Sequence, residues 1–96
     1  MNYKIIILNE AKTDFRESYI WYKEISPKLA KRFQNSFKKS VSVLSINPLH
    51  FQIRYDDVRV IMLTAFPYLI HYSINNDKII IKAIYHSSRN SELGIF

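Results

Sequence analysis

A serine–proline pair in the first half of the chain constrains the fold most strongly, because it separates two segments of helical periodicity without a loop. Residues 9–25 carry apolar side chains at helical spacing before the pair, and residues 26–47 do so after it. Ser26 is a favourable N-cap residue, and Pro27 suits the first helical position, where a missing N–H loses no hydrogen bond. The sequence therefore predicts two helices joined directly as an antiparallel hairpin.

The first predicted helix has one apolar stripe and two large apolar residues outside it. Asn9 is the predicted N-cap, and the stripe consists of four residues at helical spacing: Ala11, Phe15, Tyr19 and Tyr22. Ile20 and Trp21 fall off this stripe. We expect them either to pack under a loop or to form part of a partner surface, because an exposed tryptophan beside an isoleucine is unusual.

The second predicted helix is strongly basic on the side opposite its apolar stripe. The stripe covers about a third of the helix circumference, and its members are Leu29, Phe33, Phe37, Val41 and Leu44. The opposite side carries five positive charges, and the helix has no acidic residue: Lys28, Lys31, Arg32, Lys38 and Lys39. Asn47-Pro48 is predicted to end the helix.

The remaining residues predict β-structure. Residues 3–8 are rich in β-branched side chains and apolar on both faces, which favours an interior strand. Four later segments alternate as strands with short turns between them, so neighbours should be antiparallel: 51–55, 58–63, 68–74 and 78–86. The predicted class is α+β, with an N-terminal strand and an antiparallel helix hairpin packed on an antiparallel β-sheet, as one domain over residues 1–96.

Composition excludes several kinds of site. With no cysteine and one glycine, the chain can form neither a thiolate metal site nor a glycine-rich phosphate loop. His50, His71 and His86 lack metal-ligand spacing, so neither metal nor cofactor is predicted. The apolar run at the N-terminus is too short for a signal peptide, and no segment predicts a membrane span, so we expect a cytoplasmic protein. The net charge of +6 predicts an acidic partner, which is a nucleic acid, an acidic protein segment or, less favoured, a membrane surface; the alternative is that the charge serves solubility alone.

A basic and aromatic set on the predicted sheet is the candidate site for chemistry. Its members are Arg54, Tyr55, Arg59, His71, Lys82, Tyr85, His86 and Arg89. Such a set could hold RNA phosphates. It could also cleave RNA, with His86 deprotonating a 2′-hydroxyl and Arg59 or Arg89 stabilising the phosphorane.

Strand alternation gives some of the directions in this set. It places Lys82 and His86 on one face of the last strand, and it places Arg59 on the face opposite its two valine neighbours. A structural alternative is that Arg54 and Arg59 pair with the acidic turn at residues 56–57.

The whole chain resembles the ParE/RelE superfamily of toxins from bacterial type II toxin–antitoxin systems, and it is most similar to the ParE-like branch. The resemblance rests on an ordered series of segments: EAKTDFRESYIWY, SPKLAKRFQNSFKKSV, NPLHFQIRYDDVRVIMLTAFPYLIHYSI and IIIKAIYHSSRN. It implies the same fold as the one predicted from the residues.

The resemblance implies two alternative activities. RelE-like members are ribosome-dependent mRNA endonucleases without a metal cofactor, whereas ParE-like members poison DNA gyrase. The ribonucleases commonly carry an arginine after the first tyrosine of the segment that reads YLIHY here, but this chain has Leu69, which cannot stabilise a phosphorane. The resemblance therefore favours a gyrase poison over a nuclease that uses His86, Arg59 and Arg89, and an inactive binding domain is a third alternative.

All three alternatives imply a cognate acidic antitoxin, whose amphipathic segment would order on the toxin. The candidate contacts are the exposed apolar pair and the basic residues of the second helix and sheet: Ile20, Trp21, Lys28, Lys31, Arg32, Lys38, Lys39, Arg54 and Arg59.

Overall fold

The computed structural model describes residues 3–88. Its elements follow in the order β1 (Lys4–Ile7), α1 (Asn9–Ile25), α2 (Pro27–Ile46), a 3-10 turn (Pro48–His50), β2 (Ile53–Tyr55), β3 (Val58–Met62), β4 (Tyr68–Asn75) and β5 (Lys78–His86). The two helices pack on a five-stranded sheet, which confirms the predicted α+β class. Neither helix is both long enough and apolar enough to cross a membrane.

The helix hairpin forms as the sequence predicts. Ser26 Oγ accepts a hydrogen bond from the Leu29 N–H at 3.3 Å, and Pro27 is the first residue of α2. One expectation is wrong: Asn9 is already helical, and Leu8 occupies the N-cap position of α1 without a side-chain hydrogen bond. Ser26 is the single residue between the helices. Their aromatic side chains contact each other across the interface, where Phe33 of α2 packs against Phe15 and Tyr22 of α1.

The sheet is mixed, with strand order β1-β5-β4-β3-β2. Strands β2 to β5 are antiparallel neighbours, as predicted, but β1 pairs with β5 in parallel. The expectation that residues 3–8 form an interior strand is wrong, because β1 lies at the edge of the sheet. An edge strand can carry three isoleucines here because Ile5 and Ile7 pack against the core, while Ile6 is partly exposed on the other face.

The core lies between the hairpin and one face of the sheet. Phe33 and Leu44 of α2 and Ile70 of β4 are fully buried there, and each such side chain contributes about 1.5–3 kcal/mol by leaving water. At the centre, Tyr72 Oη donates a hydrogen bond of 2.6 Å to the Pro48 carbonyl. This bond fixes the turn that follows α2 against the middle of the sheet.

A β-bulge in β5 changes which residues share a face. The pairing with β4 leaves Lys82 without a residue opposite it. Ile81 before the bulge and Ile84 after it both pack against the hairpin, although they are three residues apart. The predicted common face of Lys82 and His86 is therefore wrong, because simple alternation does not continue across the extra residue.

Candidate functional site

The structure divides the predicted basic and aromatic set between the two faces of the sheet. On the face away from the hairpin, His71 is fully buried and its Nδ1 lies 2.9 Å from Tyr55 Oη. The rings of His71 and Tyr85 meet edge to face at 5.0 Å. Burial raises the pKa of Tyr55, and the nearby Tyr85 and Asp56 raise it further. These side chains form a packed polar cluster within the sheet.

Arg59 joins β3 to the segment that precedes β2. It lies opposite Tyr72 on β4, and its Nη1 donates a hydrogen bond to the carbonyl of Phe51, just before β2. In the acidic turn at residues 56–57, Asp57 Oδ1 lies 3.9 Å from Lys82 Nζ of β5. Arg54 lies on β2 and is exposed.

His86 lies at the exposed end of β5, on the same side as the hairpin. Its ring contacts that of Tyr68 edge to face at 5.2 Å. Its Nδ1 accepts a hydrogen bond from the Ser88 N–H at 3.2 Å and lies 2.8 Å from Ser88 Oγ. These bonds assign the proton of the neutral ring to Nε2. A general base needs a lone pair within reach of the substrate hydroxyl, and Ser88 occupies the one at Nδ1.

Arg59 and His86 are not brought together. Arg59 lies opposite Tyr72 and His86 lies opposite Tyr68, so they differ by four residues along β4 and lie on the two strands that flank it. Strand geometry then separates their Cα atoms by about 13 Å along the strands and about 10 Å across them. The third candidate, Arg89, lies outside the described residues.

The helix hairpin carries two oppositely charged surfaces, because α1 has its basic residues on one flank and its acidic residues on the other. At 100° per residue, its basic side chains fall within an arc of about 40° and its acidic side chains within an arc of about 80° on the other side of the core-facing stripe. The basic residues are Lys12, Arg16 and Lys23, and the acidic residues are Glu10, Asp14, Glu17 and Glu24.

The basic flank of α1 borders a cleft of about 480 Å³ between the two helices, which we call the basic groove. Its lining combines aromatic side chains with a basic rim: Phe15, Tyr19 and Phe37, bordered by Lys12, Arg16 and Lys38. Of the predicted partner contacts, Lys38 lines this groove. Four others are exposed elsewhere on α2: Lys28, Lys31, Arg32 and Lys39.

The acidic flank borders a second surface, which we call the acidic furrow, where α1 crosses the end of the sheet. Adjoining depressions run along α1 and share their walls; their lining includes Glu10, Asp14, Glu17, Trp21 and Ile25 of α1 and Tyr68 and His86 of the sheet. The exposed Trp21 therefore faces a cleft beside His86, and Ile20 points away from the core, 46% exposed.

Sequence reasoning missed the role of Asp14. Its Oδ2 accepts a hydrogen bond of 3.0 Å from the Ile84 N–H in β5, 70 residues along the chain. This N–H lies beyond the part of β5 that β1 pairs with, so the carboxylate supplies an acceptor where the neighbouring strand has ended. An acidic residue near the start of a helix gives no sequence signal for a contact this remote.

Comparison with known proteins gives the family. Residues 5–91 match the family model described as "ParE toxin of type II toxin-antitoxin system, parDE". A chain of the chromosomal ParDE TA system from P. aeruginosa is similar with a TM-score of 0.76 and 19% identity, over 88% of this chain and 95% of that one. A chain of the RelB-RelE antitoxin-toxin complex from Methanococcus jannaschii is similar with a TM-score of 0.50 and 20% identity, over 95% and 98%.

At these identities the two solved structures show a shared fold, and no curated protein matches the chain significantly. The family match covers most of the sequence and agrees with the helix hairpin on a five-stranded sheet. The chain therefore belongs to the ParE toxin family of type II toxin–antitoxin systems.

Proposed function

We propose that this ParE-type toxin stops growth by binding DNA gyrase and holding it on cleaved DNA, and that it does not cut mRNA. The observation that carries the proposal is the distance between Arg59 and His86. They lie on the two strands that flank β4, opposite residues that are four positions apart on it. Catalysis of RNA cleavage needs a base and a phosphorane-stabilising cation around one phosphate. The buried Leu69 supports the same conclusion, because it occupies a position where related ribonucleases carry arginine.

The cognate antitoxin is proposed to bind the basic groove with an acidic amphipathic segment. The aromatic side chains of the groove accept apolar residues, and the three cations at its rim attract carboxylates. Binding here buries Phe15 and Tyr19, which are only half-buried in the toxin alone. A gyrase target also places the toxin's action in the cytoplasm.

The target is tested by two assays run side by side with the purified toxin. We expect it to inhibit negative supercoiling by purified gyrase and to leave transcripts intact in a translating extract. His86→Ala should still inhibit supercoiling, since the histidine has no catalytic role in this proposal. Unimpaired supercoiling at saturating toxin, together with cut transcripts that His86→Ala abolishes, would establish a ribosome-dependent nuclease instead.

The antitoxin site is tested by two adjacent lysines of α2. Lys38 lines the basic groove, whereas Lys39 carries the same charge on the same helix without lining it. Lys38→Glu should weaken the measured affinity for the antitoxin, because it places a negative charge beside the acidic segment, and Lys39→Glu should change it much less. Equal losses in both variants would assign the antitoxin to the outer basic side of α2.

A further inference from the structure

We propose that the acidic furrow is a second docking site and that it binds a basic, apolar segment of the toxin's target protein. The inference rests on the proposed function, because it assigns the target and the antitoxin to different flanks of α1. It places Trp21 in the target site, whereas the sequence pattern favours this residue as an antitoxin contact.

The acidic furrow is negatively charged in a protein that is basic overall. The protein has a net charge of +6, yet four of its eight acidic residues lie on this one flank of α1. Among the described residues, no lysine or arginine lines the furrow. Nor does any basic side chain within residues 3–88 form an ion pair with Asp14 or Glu17. A basic segment is therefore attracted to this surface, while an acidic antitoxin segment is repelled from it.

The apolar end of the furrow supplies the second argument. Trp21 is 58% exposed and Ile25 is 60% exposed, and they border a cleft of about 810 Å³ in front of Tyr22 and Tyr68. Tryptophan and tyrosine are among the residue types that contribute most to protein–protein affinity. The indole face can also hold a lysine or arginine by a cation–π contact.

The geometry defines the segment that fits. Glu17 and Trp21 are four residues apart on α1, which separates them by about 6 Å along the helix axis. The complementary segment therefore carries a lysine or arginine about one helical turn from a large apolar residue. The acidic end is fixed in place, since Asp14 Oδ2 accepts from the Ile84 N–H and the Asp14 carbonyl accepts from Ser18 Oγ at 3.0 Å.

The sole tryptophan of the chain provides a direct test of this recognition, because Trp21 itself lines the furrow. The probe is a short helical peptide without tryptophan or tyrosine, carrying arginine one turn from leucine; its matched control has glutamate in place of arginine. We expect the arginine peptide to shift Trp21 emission to shorter wavelength and the glutamate peptide to leave it unchanged.

A charge reversal on the toxin makes the test specific. Glu17→Lys should lower the affinity for the arginine peptide by about fivefold and should allow the glutamate peptide to bind. Glu17 is exposed on the helix surface, so circular dichroism should show an unchanged fold. Equal emission shifts with both peptides, or the same arginine-peptide affinity in wild type and Glu17→Lys, would overturn the proposed recognition.

Supercoiling assays with gyrase test whether the segment that binds the acidic furrow belongs to the target protein. Trp21→Ala should reduce the potency of supercoiling inhibition by at least about thirtyfold, as loss of a central aromatic anchor does. Leu49→Ala is the matched control, because Leu49 is 62% exposed and lies outside the furrow, and its potency should equal that of the wild type.

The two proposals fail in different ways. If the wild type does not inhibit gyrase, the proposed function is wrong, and the peptide measurements still decide whether the furrow selects basic segments. If the wild type inhibits gyrase and folded Trp21→Ala inhibits it equally, the assignment of the furrow to the target is overturned.

Discussion

Replacing Tyr72 with phenylalanine removes one oxygen from the centre of the fold and changes little else. Tyr72 is fully buried, and its hydroxyl donates to the carbonyl of the buried Pro48 at 2.6 Å. Loss of a buried hydrogen bond that leaves its acceptor without that donor destabilises a protein by about 1–3 kcal/mol. We therefore expect Tyr72→Phe to lower the free energy of unfolding at pH 7 by about 2 kcal/mol.

The same side chain makes stability depend on alkaline pH. Burial raises the pKa of Tyr72 from 10.0 to about 12, although the nearby Arg59 lowers it. Between these values the unfolded chain releases the Tyr72 proton and the folded chain keeps it, so the raised pKa makes stability fall as pH rises. This contribution is fully present below pH 10, and each unit above it removes about 1.4 kcal/mol until the folded pKa is passed.

Urea unfolding at pH 7, 10 and 11.5 measures both effects. We expect Tyr72→Phe to unfold at lower urea at pH 7 with the same m-value, and the difference from wild type to narrow above pH 10. Tyr19→Phe is the control, because Tyr19 is half-buried and forms no hydrogen bond within residues 3–88. Equal stability of Tyr72→Phe and wild type at pH 7, or a constant difference up to pH 11.5, would refute this reasoning.

Three further results are expected. Asp14→Ala should lower the free energy of unfolding by about 1.5–3 kcal/mol, since it removes a charged acceptor from the Ile84 N–H, and Asp14→Asn should lose less; similar thermal midpoints in all three proteins would contradict this. Ser26→Ala should cost about 1 kcal/mol in urea unfolding because α2 loses its N-cap, whereas Ser26→Asp should not. Tyr22→Phe should also flatten the alkaline stability loss, because burial raises the pKa of Tyr22 to about 12; an unchanged pH profile would count against that pKa.

The hairpin was predictable because its signals are local. A capping serine, a proline at the first helical position and two apolar stripes all lie within residues 9–47, and each acts over one or two helical turns. The strands after the hairpin were also predictable from alternation and turn residues, since each is joined to the next by a short connection.

The predictions that are wrong for the sheet concern strand pairing between residues far apart in the chain. The edge position of β1 follows from parallel pairing with residues near 80, and nothing in a run of three isoleucines specifies that partner. The bulge at Lys82 is a property of the β4–β5 ladder, so alternation read from one strand placed Lys82 and His86 on a common face. The candidate nuclease set needs a base and a cation around one phosphate, and the pattern along single strands does not specify how far apart the sheet places Arg59 and His86.

The sequence predicts only part of each of the two hairpin surfaces. The opposite charges on the flanks of α1 follow from helical spacing alone. Their meaning depends on what each flank faces: α2 beside Lys12 and Arg16, and the end of the sheet beside Glu17 and Trp21. Those neighbours are set by tertiary packing, which the spacing of residues on one helix does not specify.

The most direct test of the central claim is the amount of linear DNA that purified gyrase releases from a supercoiled plasmid, after denaturation and protease treatment, as toxin is added. If the toxin holds gyrase on cleaved DNA, linear plasmid should accumulate with toxin concentration, and His86→Ala should still produce it. If no linear plasmid appears at saturating toxin although expression of the same toxin in cells arrests growth, the protein acts on a different target and the account is wrong.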